Sequence, residues 1–191
     1  MEFLGFVFLC NHIGICKVNE KQRHLRIKNN QISEEDVVQF VLERFNNVKQ
    51  TKKIKNLANF QAMNKYMLMS HDQEELKILG HIVASYKKTS FLEILDNYDL
   101  HLKKASKNPP TIKKHSNVIL HIFGYFSKDF NVHDKRLFFD LLEKYREEKN
   151  SLGEVLAEIN PIIFRFNNMY LASQTYFLLY SHSPPGIFSN L

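Results

Sequence analysis

From Ser33 onward, apolar residues return every three or four positions, the spacing of one buried face of an α-helix. Leu76, Leu79, Gly80 and Val83 share one such face, Phe91, Ile94, Leu95, Tyr98 and Leu102 a second, and Leu137, Phe138, Leu141, Leu142 and Tyr145 a third. The pattern predicts helices over residues 34–48, 53–70, 73–87, 91–106, 112–128, 132–149, 152–159 and 170–180. Residues that start helices punctuate the stripes. Ser33 stands before an acidic first turn containing Asp36, and Asp72 with Glu75, Ser90 with Glu93 and Ser151 with Glu154 have the capping-box spacing. In such a box a side-chain oxygen satisfies a free backbone N–H and the later carboxylate reaches back to the cap. Asn108-Pro109-Pro110 stops one helix, because neither proline has an N–H and each disfavours helix at its predecessor. Thr111 then caps the next. The fold class predicted is an all-α, multi-helix bundle over residues 33–191. Residues 1–32 break the pattern: Phe3–Leu9 is β-prone, Asn11 and Gly14 favour turns and Arg23–Lys28 is basic, which predicts a short irregular or β-like arm.

Composition narrows the class without naming a function. A chain of 191 residues with 44% apolar and 24% charged residues suits one folded domain. Sixteen Phe and eight Tyr predict an aromatic core. No apolar run approaches the roughly 20 residues that span a bilayer, so no membrane partner is expected. The apolar opening Met1–Cys10 lacks a positive flank and a small-residue cleavage site, which argues against a signal peptide. Two cysteines cannot staple a domain of this size and point to a reducing, cytoplasmic setting. Cys10, His12, Cys16 and His24 match no familiar zinc spacing, and the P-loop, HExxH, GxSxG and Rossmann signatures are missing, so neither a metal nor a cofactor is expected. Met63, Met67 and Met69, with Phe60 and Tyr66, read as core filling. The net charge of +6 permits a polyanionic partner.

The segment Thr111–Lys128 carries the densest signal. His115, Val118, Ile119, Ile122 and Phe126 form an apolar stripe, whereas Lys114, Asn117, His121, Tyr125 and Lys128 follow at helical intervals on a second face. Such a row supplies cationic and neutral donors suited to phosphate oxygens or a base edge; the same spacing also describes a solvated helix face. Gly124 beside Tyr125 leaves room for a neighbouring helix or a ligand. His71, at the end of a predicted helix and near Lys65, reads either as a cation favoured by the helix dipole or as a site residue. Gln174 and Tyr176 read as satisfied core groups or as pocket lining.

Several runs resemble one family. Asn64-Lys-Tyr-Met-Leu-Met-Ser-His71 with Leu79-Gly-His-Ile-Val-Ala84 resembles the first signature of the YbgA-like family, bacterial domain of unknown function 1722. Thr111–Phe126 resembles the second, and Tyr145-Arg146 and Tyr170–Tyr176 the later ones, over residues 58 to 180. The resemblance implies a helical, cytoplasmic domain, often fused behind a cysteine-dependent iron–sulfur domain similar to thiouracil desulfidases. Residues 1–32 then read as a possible remnant of that partner, too small to hold a cluster. The chain departs from the family pattern at Gln61 and Asn64, where histidines are usual, after Arg146, where a glycine is usual, and in Leu178–Ser181. The preferred function is binding of a phosphate-bearing ligand, RNA or a nucleotide, as an accessory to thiopyrimidine or tRNA sulfur chemistry. Lys65, Lys114 and Lys128 would neutralise phosphates, Asn117 and His121 would orient the ligand, and Tyr125 or Tyr176 would stack. The alternatives are a small enzyme with a pocket of Lys65, His71, His115, His121 and Tyr125, or a docking module for a separate desulfidase-like protein.

Overall fold

The computed structural model describes residues 27–28 and 31–181. It is an all-α bundle, as the stripes predict. A minimal antiparallel pair, β1 (Ile27–Lys28) and β2 (Gln31–Ile32), sets Ile27 opposite Ile32 and precedes the helices. The rest of the predicted arm, with Cys10, His12, Cys16 and His24, lies outside the described residues. The helices are α1 (Glu34–Thr51), α2 (Ile54–Met63), α3 (Lys65–His71), α4 (Gln73–Ala84), α5 (Phe91–Ser106), α6 (Ile112–Phe123), α7 (Val132–Arg146), α8 (Leu152–Arg165), α9 (Met169–Ala172) and α10 (Thr175–Tyr180).

Every predicted cap forms, but only one is a reciprocal box. Ser33, Ser90 and Thr111 accept from the N–H of Asp36, Glu93 and Lys114, and Asp72 accepts from Glu74 and Glu75. Ser151 and Glu154 close the full box, and Asn131 with Asp134 closes another that the sequence reading missed. Glu75 does not reach back to Asp72. It is buried between α4 and α5, bonded to His101 Nδ1 at 2.6 Å and Lys104 Nζ at 2.5 Å. Burial alone would raise its pKa, but the bonds to Lys104 and His101 hold the carboxyl below the usual range.

Four predicted boundaries are corrected. The helix predicted over 53–70 is broken at Asn64, whose side chain turns back to donate to the Phe60 carbonyl at 2.8 Å. The 112–128 helix stops at Phe123, and residues 124–129 continue as turns, so Tyr125 and Lys128 leave the helical face. A Cβ on Gly124 would meet the carbonyls of His121 at 3.2 Å and Leu120 at 3.9 Å in its own turn and no described atom of another element, so this glycine does not serve the close approach of a neighbouring helix. α8 runs through Pro161 to Arg165, because Ile159, Ile162 and Ile163 on both sides of the proline are buried on one face. Finally, the 170–180 helix is two short helices separated at Gln174.

One continuous apolar core runs from Val37 to Leu179. Phe45, Phe60 and Tyr98 interlock at one end with ring centroids 5.1–6.1 Å apart. Phe123, Phe126, Phe130, Phe138 and Phe166 interlock at the other. Tyr66, Met67 and Met69 are buried in the middle, so this methionine segment is core.

Candidate functional site

α3 and α6 lie side by side and antiparallel. Lys114, in the first turn of α6, donates to the His71 carbonyl at 2.6 Å and to that of Pro109 at 3.3 Å. It thereby caps the carbonyl end of α3 with a cation, where the helix dipole favours one. One turn on, Asn117 donates to Gln73 Oε1 at 3.3 Å. Beyond the helix, Tyr125 meets Tyr66 at the start of α3. The Tyr66 hydroxyl pairs with that of Tyr125, and burial first, then this bond, push the Tyr66 pKa well up.

Around that pair the structure gathers an aromatic–cationic face. Tyr125, 43% exposed, stacks on Tyr170 with centroids 6.0 Å apart and planes 24° from parallel. Lys65 Nζ stands 5.4 Å over the Tyr66 ring. Gln174 fixes the assembly from below: its amide donates to the carbonyls of Ala62 (2.9 Å) and Tyr170 (3.3 Å), and its oxygen faces the Tyr66 N–H at 3.5 Å. Lys65 also lines a shallow groove of about 360 Å³ with Gln61, Met69, Gln73 and Lys77. That groove reaches the α6 stripe through the Gln73–Asn117 bond. His121, on α6, and Lys128, in the turns that follow it, are exposed.

The remaining predicted residues converge elsewhere. His71 is 1% exposed, with Nε2 3.6 Å from Glu34 Oε2 and 3.4 Å from the Tyr180 hydroxyl. Its Nδ1 meets no partner in hydrogen-bond geometry. Burial drives its pKa down to about 4, against a raising contribution from the Asn108 backbone, and Lys114 lowers it further. His71 is therefore a neutral, buried imidazole and not the solvated helix-end cation that its position suggests. His115 Nδ1 lies 2.7 Å from the Tyr176 hydroxyl, and burial, then His71 and Lys114, bring its pKa to about 3. Tyr180 packs edge-on to His115 at 5.2 Å and donates to Glu34 Oε2 at 3.0 Å. Burial raises the Glu34 pKa, and the Tyr180 bond partly opposes that rise.

These groups border a cleft of about 580 Å³ whose walls include Glu34, His115, Tyr145, Lys149, Leu152 and Tyr180. Burial pushes the Tyr145 hydroxyl up to about 12. The ten predicted site residues thus divide. Lys65, Tyr125 and Gln174 meet at the aromatic face, and His71, His115 and Tyr176 meet behind the cleft. Lys114 and Asn117 join α6 to neighbouring elements, while His121 and Lys128 are exposed. Tyr176 is fully buried and offers no stacking surface. Lys65, His71, His115, His121 and Tyr125 do not line one common pocket.

Sequence reasoning missed Glu34, Tyr180 and Tyr170 as site residues. Glu34 reads as one of three acids in a helix's first turn, and Tyr180 as part of an altered ending. Only the pairing of Glu34 with Tyr180 across 146 positions reveals them. Among the described residues, no group of three or more His, Cys, Asp or Glu is arranged to hold a metal ion. No helix there is long and apolar enough to cross a membrane.

Comparison with known proteins places these features in a family context. A family described as "Protein of unknown function (DUF1722)" matches residues 65–181, which takes in both the aromatic face and most of the cleft. The chain is 24% identical over 127 residues to the "Uncharacterized protein YbgA" of Escherichia coli (strain K12), covering 65% of this chain and 74% of that one. No solved structure matches.

Proposed function

The chain belongs to this family of proteins of unknown function, and from that premise we propose that it binds a phosphate-bearing ligand, RNA or a nucleotide, on the face built from α3, α6 and α9. The observation that carries the reading is the stack of exposed Tyr125 on half-buried Tyr170, joined through Tyr66 to Lys65. A π-face beside a cation suits a nucleobase and its phosphate, and such stacking is worth about 1–3 kcal/mol per base. Lys128 and His121 extend the positive side, and Asn117 supplies an amide beside the Lys65 groove. Lys114 contributes charge while its ammonium remains bonded to two carbonyls. The net charge of +6 favours encounter with a polyanion. Because the sequence resembles domains that accompany thiouracil-desulfidase-like proteins, tRNA in the cytoplasm is the first ligand to try. A desulfidase-like protein is the partner such a domain would serve.

The test is fluorescence anisotropy of the full chain with tRNA, single-stranded RNA and duplex DNA across a salt series. RNA binding with a steep salt slope is expected. Lys65→Ala with Lys128→Ala should weaken all sequences and flatten that slope by up to about two counterions. Tyr125→Ala should cost about tenfold or more in affinity without changing the slope. Absence of binding at low salt, or unchanged affinity in both variants, overturns the proposal.

A further inference from the structure

The cleft between the starts of α1, α6 and α8, the end of α7 and α10 has no part in the face proposed for RNA, yet its polar groups are arranged with a definite sense. Tyr176 is fully buried, and its hydroxyl proton needs an acceptor. Among the described residues its hydrogen-bond partner is His115 Nδ1 at 2.7 Å. Were Nδ1 to carry the proton, the Tyr176 O–H would be left without an acceptor in a dry interior, at a cost of about 1–3 kcal/mol. Tyr176 therefore donates to Nδ1, and the neutral imidazole keeps its proton on Nε2. The depressed His115 pKa agrees with a ring that stays neutral. With Nδ1 engaged inside, Nε2–H is the donor that His115 offers to the cleft it lines.

Glu34 supplies the opposite character. Its Oε2 accepts from Tyr180 at 3.0 Å, while Oε1 has no donor among the described residues. Glu34 and His115 flank the Tyr180 ring, Tyr145, Leu152 and Leu179 add apolar surface, and Lys149, Asn150 and Ser151 add polar lining. We propose that this cleft is a small-molecule site for a neutral, planar ligand with an N–H beside a carbonyl, a lactam or a primary carboxamide. His115 Nε2–H donates to the carbonyl and Glu34 accepts the N–H. A carboxylate would face Glu34 and Glu148, and the Lys149 ammonium that also lines the cleft is already paired with Glu147 at 2.7 Å. An ammonium could pair with Glu34 but brings no acceptor for Nε2–H. Each mismatch leaves a polar group unpaired, which is how such sites discriminate. At about 580 Å³ the cleft is within the usual range for small-molecule pockets.

Two measurements on the full chain test this. Long-range ¹H–¹⁵N NMR should show His115 as the neutral Nε2–H tautomer from pH 5 to 8; an Nδ1–H or charged ring overturns the donor assignment. Titration with 2-pyridone, nicotinamide, nicotinate and benzylamine should give saturable binding of the first two, at least tenfold tighter than the charged pair. Glu34→Gln, with its fold checked by the same spectra, should weaken 2-pyridone at least tenfold, and Lys65→Ala with Lys128→Ala should leave it unchanged. No saturable binding by the neutral probes, or binding of nicotinate or benzylamine at equal strength, overturns the proposal whatever the outcome with RNA.

Discussion

His71 and His115 are imidazoles placed where a positive charge is disfavoured, and this makes stability depend on pH in a definite direction. Their folded pKa values, about 4 and about 3, lie below the value of roughly 6.5 that each regains on unfolding. Protons therefore bind the unfolded chain first. Stability is fully present above about pH 6.5 and falls as the pH drops toward the folded values, by about 1.4 kcal/mol per pH unit for each ring. Lys114 sharpens the effect, while Glu34, whose folded pKa is raised, offsets part of it by taking up a proton in the native state. Urea midpoints between pH 4.5 and 7.5 should fall steadily on the acid side; a flat profile would show that the rings are not held neutral. A second residue-scale consequence follows from backbone conformation. Glu148 ends α7 in the left-handed region, at φ 58°, with the Lys149 N–H bonded to the Lys144 carbonyl. A residue with a Cβ costs about 1–2 kcal/mol there and glycine does not. Glu148→Gly should raise the urea midpoint at unchanged m-value, equivalent to roughly 0.5–1 kcal/mol after glycine's greater unfolded-state entropy.

Gln174 acts at the scale of whole elements. Its one amide bridges the break between α2 and α3, offering an acceptor toward Tyr66 N–H and a donor to the Ala62 carbonyl. It is 2% exposed, so an apolar replacement leaves those backbone groups unpaired and out of reach of water. Gln174→Leu should cost about 1–3 kcal/mol and accelerate hydrogen exchange most at the Asn64–Tyr66 amides. Exchange that changes evenly across the chain would deny it that local role. The same residue shows what was and was not legible in the sequence. Helix starts were readable because Ser33, Asp72, Ser90, Thr111 and Ser151 act on amides two or three residues away. The break at Asn64 was not, because its bridging partner lies 108 positions further along. The end of α8 lies beyond the expected residue 159 for a related reason: Pro161 is a local helix breaker, and the burial of isoleucines on either side of it outweighs that.

Across the molecule, the candidate residues were largely identifiable but their grouping was not. Helical spacing put Lys114, Asn117, His121 and Tyr125 in one row, yet α3 and α9 decide what that row becomes. Tyr125 gains Tyr66 and Tyr170, and Lys114 gains the carbonyl end of α3. His115 looked like one member of an apolar stripe, and it is; its partners Tyr176 and Tyr180 arrive from the far end of the chain. The aromatic face and the cleft therefore share α6 while presenting different chemistry.

The Tyr180–Glu34 bond joins residues 146 positions apart. Closing so long a loop requires chain entropy to be lost before the contact returns anything, and contacts of that kind form late. During synthesis from the amino terminus, Glu34 emerges early and stands unmatched until α10 follows. The cleft is thus a property of the completed chain: a fragment ending before Tyr180 can fold helices and bury much of the core, but it has no such cleft to offer.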